Sequence, residues 1–198
     1  MWSPSIARRG GHALHFWDLA AGTHLQRVDL GAQHQMVLEL RPAHDPEATW
    51  GFVGVVVSTQ DLSASVWRWH RAGGGWAADK VITIPAEPAD PDLLPPALKP
   101  FSAVPPLITD INLSVDDQQL YVSCFGTGEL KQYDVSDPAH PRETASVCAW
   151  MTKIDTTAAG GLSVDKTFFP HGPDFRGLRI HQVRLQGGDA SSDSYCSR

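Results

Sequence analysis

Short runs of Val, Ile, Leu, Trp and Tyr, broken by Gly, Asp or Pro, recur along this chain, while helical periodicity is scarce. That pattern is the signature of strands joined by hairpins. In residues 14–30, Leu14, Phe16 and a Trp17-Asp18 pair lead to Ala21-Gly22, and Leu25, Val28 and Leu30 follow, which predicts a hairpin with imperfectly alternating arms. Residues 36–41 (MVLELR) alternate, placing Met36, Leu38 and Leu40 on one expected face. Residues 51–58 (GFVGVVVS) are continuously apolar, as expected of a strand covered on both sides. A strand at 65–70 (SVWRWH), a turn at Gly73-Gly74-Gly75 and a strand at 79–84 (DKVITI) come next.

Residues 86–106 hold seven prolines and no periodicity. Proline fixes φ and withholds a ladder donor, so this stretch reads as a surface connection. The clearest unit follows it: 107–114 (LITDINLS), a turn at Asp116-Asp117, 119–124 (QLYVSC), a turn at Gly126-Thr127-Gly128, 129–135 (ELKQYDV), and 142–147 (RETASV). Four successive antiparallel strands within roughly 40 residues match one propeller blade. Residues 36–85 repeat the same order. Residues 12–35 read as the outer two strands of a partial blade. Residues 150–198 read as a further outer hairpin (WMTKID, a turn at 158–161, Phe168-Phe169), a closing strand at 180–185 and a polar tail. The expected fold is therefore all-β: a partial β-propeller of four-stranded antiparallel blades, forming one domain over residues 1–198.

Charge and composition narrow the partners. A net charge of −6 disfavours nucleic acid and anionic membranes, which reward basic surfaces. No stretch approaches the roughly 18 apolar residues of a membrane span. No apolar run follows Arg8-Arg9, so a signal peptide is not expected, and the reading points to the cytoplasm. The three cysteines, Cys124, Cys148 and Cys196, fit reduced thiols, and no Cys-x-x-Cys pair occurs. Seven tryptophans fit wedge-filling between blades, since a nucleic-acid platform would need basic neighbours. There is no nucleophile elbow, phosphate loop or dinucleotide fingerprint.

Several segments carry a family resemblance: HALHFWDL (12–19), LELRPAHDPEATWGFVG (38–54), KVITIPAEPADPDLLP (80–95), the long block 105–142, and HQVRLQGGDASSDSYC (181–196). In these the chain resembles the selenium-binding protein family, which is also the copper-dependent methanethiol oxidase family. The resemblance implies a member shortened before His12 and internally deleted. Near residues 147–150 (VCAW) the chain passes from the end of one blade to the outer hairpin of a much later one.

Nine histidines are many for this length, and imidazole is a common copper ligand. The resemblance implies a metal or selenium site lined by channel histidines. His44, in AHDP just past an alternating strand, and His181, opening HQVRLQGGD, match its motifs. For each, the alternative is a loop histidine bonded to the backbone. Asp110, in an otherwise apolar strand, is either a channel-facing acid at a cofactor site or a hydrogen-bond acceptor bracing the blades. Asp189, in GGDASSDS, carries the same ambiguity, with Ser and Gly neighbours that suit a tight turn. His12, His15, His24, His34, His70, His140 and His171 match no ligand spacing and read as surface histidines. Cys124 reads as a small core residue. The family often has a cysteine where this chain has Ala190 and a histidine near Thr127, and both departures weaken a direct transfer of ligands.

The expected function is thus a selenium- or metal-binding propeller fragment without full activity, taking a small sulfur or selenium compound, with copper or selenium as cofactor. Self-association through open blade edges is a further expectation. The alternatives are a copper-dependent methanethiol oxidase and a purely structural fragment.

Overall fold

The computed structural model describes residues 11–148 and, as backbone strands, 152–156 and 162–167. The alternating and continuous apolar runs become strands throughout. A two-stranded hairpin, β1 (Ala13–Asp18) and β2 (Thr23–Asp29), opens the chain. The first four-stranded antiparallel blade follows in the order β3 (His34–Pro42), β4 (Trp50–Ser58), β5 (Ala64–Ala72), β6 (Gly75–Ile84). The proline-rich excursion is pinned at its base by a two-residue pairing of β7 (Glu87–Pro88) with β8 (Ala103–Val104). The second blade comprises β9 (Ile108–Leu113), β10 (Gln119–Cys124), β11 (Glu129–Asp134) and β12 (Arg142–Cys148), again in sequence order. A last hairpin pairs β13 (Thr152–Thr156) with β14 (Leu162–Thr167). The chain is an all-β partial propeller of four-stranded antiparallel blades.

The two blades share one core. Phe52, Val66, Ile82 and Ile84 of the first blade pack with Ile108, Ile111, Leu113, Leu120, Val122, Tyr133 and Val135 of the second blade and its flank. Each large apolar side chain so buried contributes roughly 1.5–3 kcal/mol. β4, apolar without interruption, is buried from Gly51 through Ser58, with Phe52 in the core shared with the second blade and Val56 and Val57 clustered with Leu62, Leu98 and Leu107. Gly54 sits at the contact: a Cβ there would lie 3.0 Å from Ile108 Cγ2, so the absent side chain lets the blades approach. On the far side of the first blade, Phe16 of β1 stacks on Trp76 at 4.5 Å, and Trp69 meets Trp76 edge-on at 5.5 Å. The Gln26 amide donates to the Trp76 carbonyl and accepts from its N–H, both at 2.8 Å, so a side chain extends the ladder from β6 to the hairpin.

Two expectations are corrected. The alternation in residues 36–41 does not hold one face, because β3 bulges between Leu38 and Leu40, with Glu39 at φ 51°. A bulge inserts an extra residue and shifts the side-chain register. Met36 packs beside Val56, Val57 and Leu62, whereas Leu38 and Leu40 are exposed. His34, expected at the surface, is 6% exposed and lies edge-on to Trp67 at 5.1 Å. Burial, reinforced by the charge of Lys80, pushes its pKa below the ordinary imidazole value.

Replacing Ile111, fully buried between the blades, with Ala is expected to destabilise the protein by about 2–5 kcal/mol. The midpoint of urea unfolding checks this. A shift no larger than that of a surface substitution would place Ile111 outside the shared core.

Candidate functional site

β3 and β9, the first strands of the two blades, run close together. In a propeller the blades surround a central channel. The polar residues of these two strands meet across the blade boundary. Arg41 of β3 donates to Asp110 of β9 at 3.0 Å and pairs with Glu39 at 2.7 Å. Asn112 donates to the second Asp110 oxygen at 2.8 Å, and the Arg41 Nε lies 3.5 Å from the Asn112 carbonyl oxygen. Asp110 is therefore an acceptor joining the blades. Its partner Arg41 carries no signal in the run MVLELR. The bulge at Glu39 leaves Glu39 and Arg41 close enough for one guanidinium nitrogen to serve both Glu39 and Asp110. Exposed pairs of this kind contribute roughly 0–1 kcal/mol each, so the cluster adds little to stability.

A second junction involves His44, in the loop between β3 and β4. Its backbone N–H donates to both oxygens of Asp117, at 2.9 and 3.0 Å, and its ring Nδ1 lies 2.8 Å from the same carboxylate. The N–H of Asp45 adds a further bond at 3.1 Å. Asp117 sits in the β9–β10 turn at φ 58°, a left-handed position that Asp tolerates. Burial of the Asp117 carboxyl opposes its ionisation, but the donors from His44 and Asp45 outweigh it and hold the group below the usual carboxylate range. An ionised carboxylate only accepts, so the proton of the ring must reside on Nδ1. In the neutral form of the ring the lone pair is then on Nε2, on a side chain 44% exposed. Carboxylate-oriented imidazoles of this form are common among metal ligands.

His44 thus fits copper as one oriented donor. Among the described residues, however, no three His, Cys, Asp or Glu side chains converge to hold a metal ion. His181 and Asp189, the other two expected site residues, lie outside the described residues. Thr127, where the family often has histidine, is buried and donates to Glu129 at 2.9 Å. Cys124 is buried in the shared core, and burial pushes its thiol up to about 12, so it stays protonated and unreactive. Asp117 escaped the sequence reading because an Asp-Asp pair before a strand reads as a turn. Nothing in its spacing tied it to a histidine 73 residues earlier. No helix among the described residues is long and apolar enough to cross a membrane.

Asp117→Ala removes a charged acceptor of three N–H groups, and a loss of about 1.5–3 kcal/mol in unfolding free energy is expected at neutral pH. Because the folded carboxyl titrates below its ordinary value, this stabilisation is complete above the unfolded aspartate pKa of ~3.9. It is lost as pH falls from there through the lower folded value. The gap between wild type and variant in urea unfolding should therefore shrink on acidification. A gap independent of pH would contradict the assignment.

Comparison with known proteins covers most of this architecture. A family model described as the 56kDa selenium binding protein matches residues 4–149. Methanethiol oxidase of Xenopus tropicalis is 39% identical over 133 residues, which is 67% of this chain and 26% of that protein. Methanethiol oxidase of Danio rerio is 37% identical over 149 residues, 74% of this chain and 30% of that protein. The human methanethiol oxidase is 38% identical over 138 residues, covering 69% and 26%. The matched region therefore spans only 26% to 30% of the length of these relatives. A solved structure, described as a hypothetical selenium-binding protein from Sulfolobus tokodaii, superposes with a TM-score of 0.70 at 40% identity. It covers 96% of this chain and 52% of that one. With the family match running from the opening hairpin through the last strand of the second blade, this chain belongs to the 56kDa selenium binding protein family.

Proposed function

We propose that this chain is a selenium- or metal-binding portion of a propeller that takes a small sulfur or selenium compound, works in the cytoplasm, and does not oxidise methanethiol by itself. The observation that carries this reading is the orientation of His44: its Nδ1 is committed to Asp117, which leaves Nε2, on a half-exposed side chain at the junction of the two blades, as the nitrogen not engaged by that carboxylate. An imidazole held in that way is prepared to donate to a soft or borderline metal. His181, and Asp110 or Asp189 beside the bound group, would complete the site. Copper, when bound, would supply a thiolate-binding centre able to pass electrons to oxygen. The residues of this chain would orient the donor and position the ligand.

A channel site built by several blades draws its donors from more than one of them, and the described residues form two complete four-stranded blades. The alternative, favoured by the names of the matched relatives, is the oxidation of methanethiol; the family resemblance implies that it would use copper, oxygen and water and yield formaldehyde, hydrogen sulfide and hydrogen peroxide.

The purified chain, loaded with copper and freed of excess, decides between them by bound metal and methanethiol consumption. The expectation is one copper equivalent lost in the His44→Ala, His181→Ala double variant and no consumption of methanethiol by either protein. Unchanged copper in that variant would remove the proposed site. Consumption above the protein-free rate, abolished in the variant, would establish the oxidase reading instead.

A further inference from the structure

The opening hairpin carries a pair of histidines that the channel reading does not use. His15 of β1 and His24 of β2 approach with Nδ1 and Nε2 3.2 Å apart, and their ring centroids are separated by 5.2 Å. Both side chains are solvent-facing. Their meeting depends on a backbone irregularity. The ladder runs Ala13 with Asp29, Leu14 with Val28, His15 with Arg27 and Phe16 with Gln26, then shifts so that Trp17 faces His24. In an unbroken ladder Trp17 would face Leu25, and His24 would point away from His15, since side chains alternate across a strand. The bulge at Leu25 moves His24 onto the face of His15 and Trp17.

The opposite face of the hairpin fixes this arrangement. Phe16 stacks on Trp76 with an interplanar angle of 8°, and Gln26 makes its paired bonds to the Trp76 backbone. The hairpin is thereby seated on the first blade, and the two imidazoles are presented outward. Trp17 lies edge-on to His24 at 5.0 Å and limits the freedom of that ring. The neighbouring charges are already engaged: Arg27 pairs with Asp29 at 2.8 Å, and Asp29 also takes His12 at 2.9 Å.

We infer that His15 and His24 form a bidentate site for a divalent transition-metal ion, with copper(II) preferred, on the surface of the opening hairpin and separate from His44. Two nitrogens each about 2.0–2.1 Å from one ion stand roughly 2.9–3.4 Å apart at square-planar to tetrahedral angles. The observed 3.2 Å separation lies in that interval, so the two nitrogens are spaced for one ion, and each exposed ring turns off the N···N line to aim its lone pair at it. Water would fill the remaining positions. Copper(II) ranks first among the divalent ions for imidazole nitrogen, ahead of nickel(II) and zinc(II). Preorganisation by the bulge and the Phe16–Trp76 stack spares the ordering cost that free histidines would carry.

The test is a titration of the purified full chain with copper(II), nickel(II) and zinc(II) chlorides in separate experiments. Tryptophan fluorescence gives affinity, and the nitrogen hyperfine structure of the copper(II) electron paramagnetic resonance spectrum gives the donors. His15→Gln and His24→Gln should each weaken copper binding at this site by about tenfold or more, with copper the tightest of the three metals. His140→Gln, at an exposed histidine paired with Asp137, should leave it unchanged. Circular dichroism checks that the variants keep their strands. The His44→Ala, His181→Ala chain should retain this site. Copper affinity and spectrum unchanged in the His15→Gln, His24→Gln chain would overturn the inference without touching the channel reading.

Discussion

One face of the β3–β6 sheet and one face of the β9–β12 sheet are buried against each other, and this contact sets every other feature of the molecule. Phe52, Val66 and Ile82 on one side and Ile111, Leu120 and Val122 on the other leave little freedom in register, since interiors pack at crystal-like density. Gly54 removes a side chain where Ile108 comes nearest. With the sheets locked, β3 and β9 lie alongside, Arg41 reaches Asp110, and the β9–β10 turn comes under the His44 loop. The orientation of His44 is therefore a property of the blade pair rather than of its own loop.

The strand content was legible in the sequence because each element carries its own pattern. Residues 119–124 alternate and are alternately buried, while residues 51–58 are apolar throughout and wholly buried. The Gly and Asp positions between the runs mark the hairpins, and blade architecture follows from four such strands in a row. Side-chain facing was less legible wherever a bulge intervened. The bulges at Glu39 and Leu25 leave Leu38 and Leu40 in solvent and turn His24 toward His15, and neither residue type announces a bulge. His34 was misplaced because a histidine preceding a strand gives no sign of the Trp67 ring that covers it.

The candidate site was legible only in part, for a related reason. His44 and Asp110 stand out as polar residues beside apolar strands, and both lie at the blade boundary. Their partners, Asp117 and Arg41, come from the other blade, at separations of 73 and 69 residues, which local spacing cannot encode. What distinguishes His44 from the other Asp-paired histidines, His12, His70 and His140, is that its carboxylate belongs to a different blade. A ligand at His44 would therefore register the contact between blades, which offers a physical link from core packing to binding.

The protonation pattern of the His44 ring tests that link most directly. Nitrogen-15 chemical shifts of the imidazole, read in its neutral form, should report the tautomer with the proton on Nδ1, facing Asp117, and Nε2 bare. A ring protonated on Nε2 with Nδ1 bare would contradict the account, because the carboxylate could then not be holding the histidine in place.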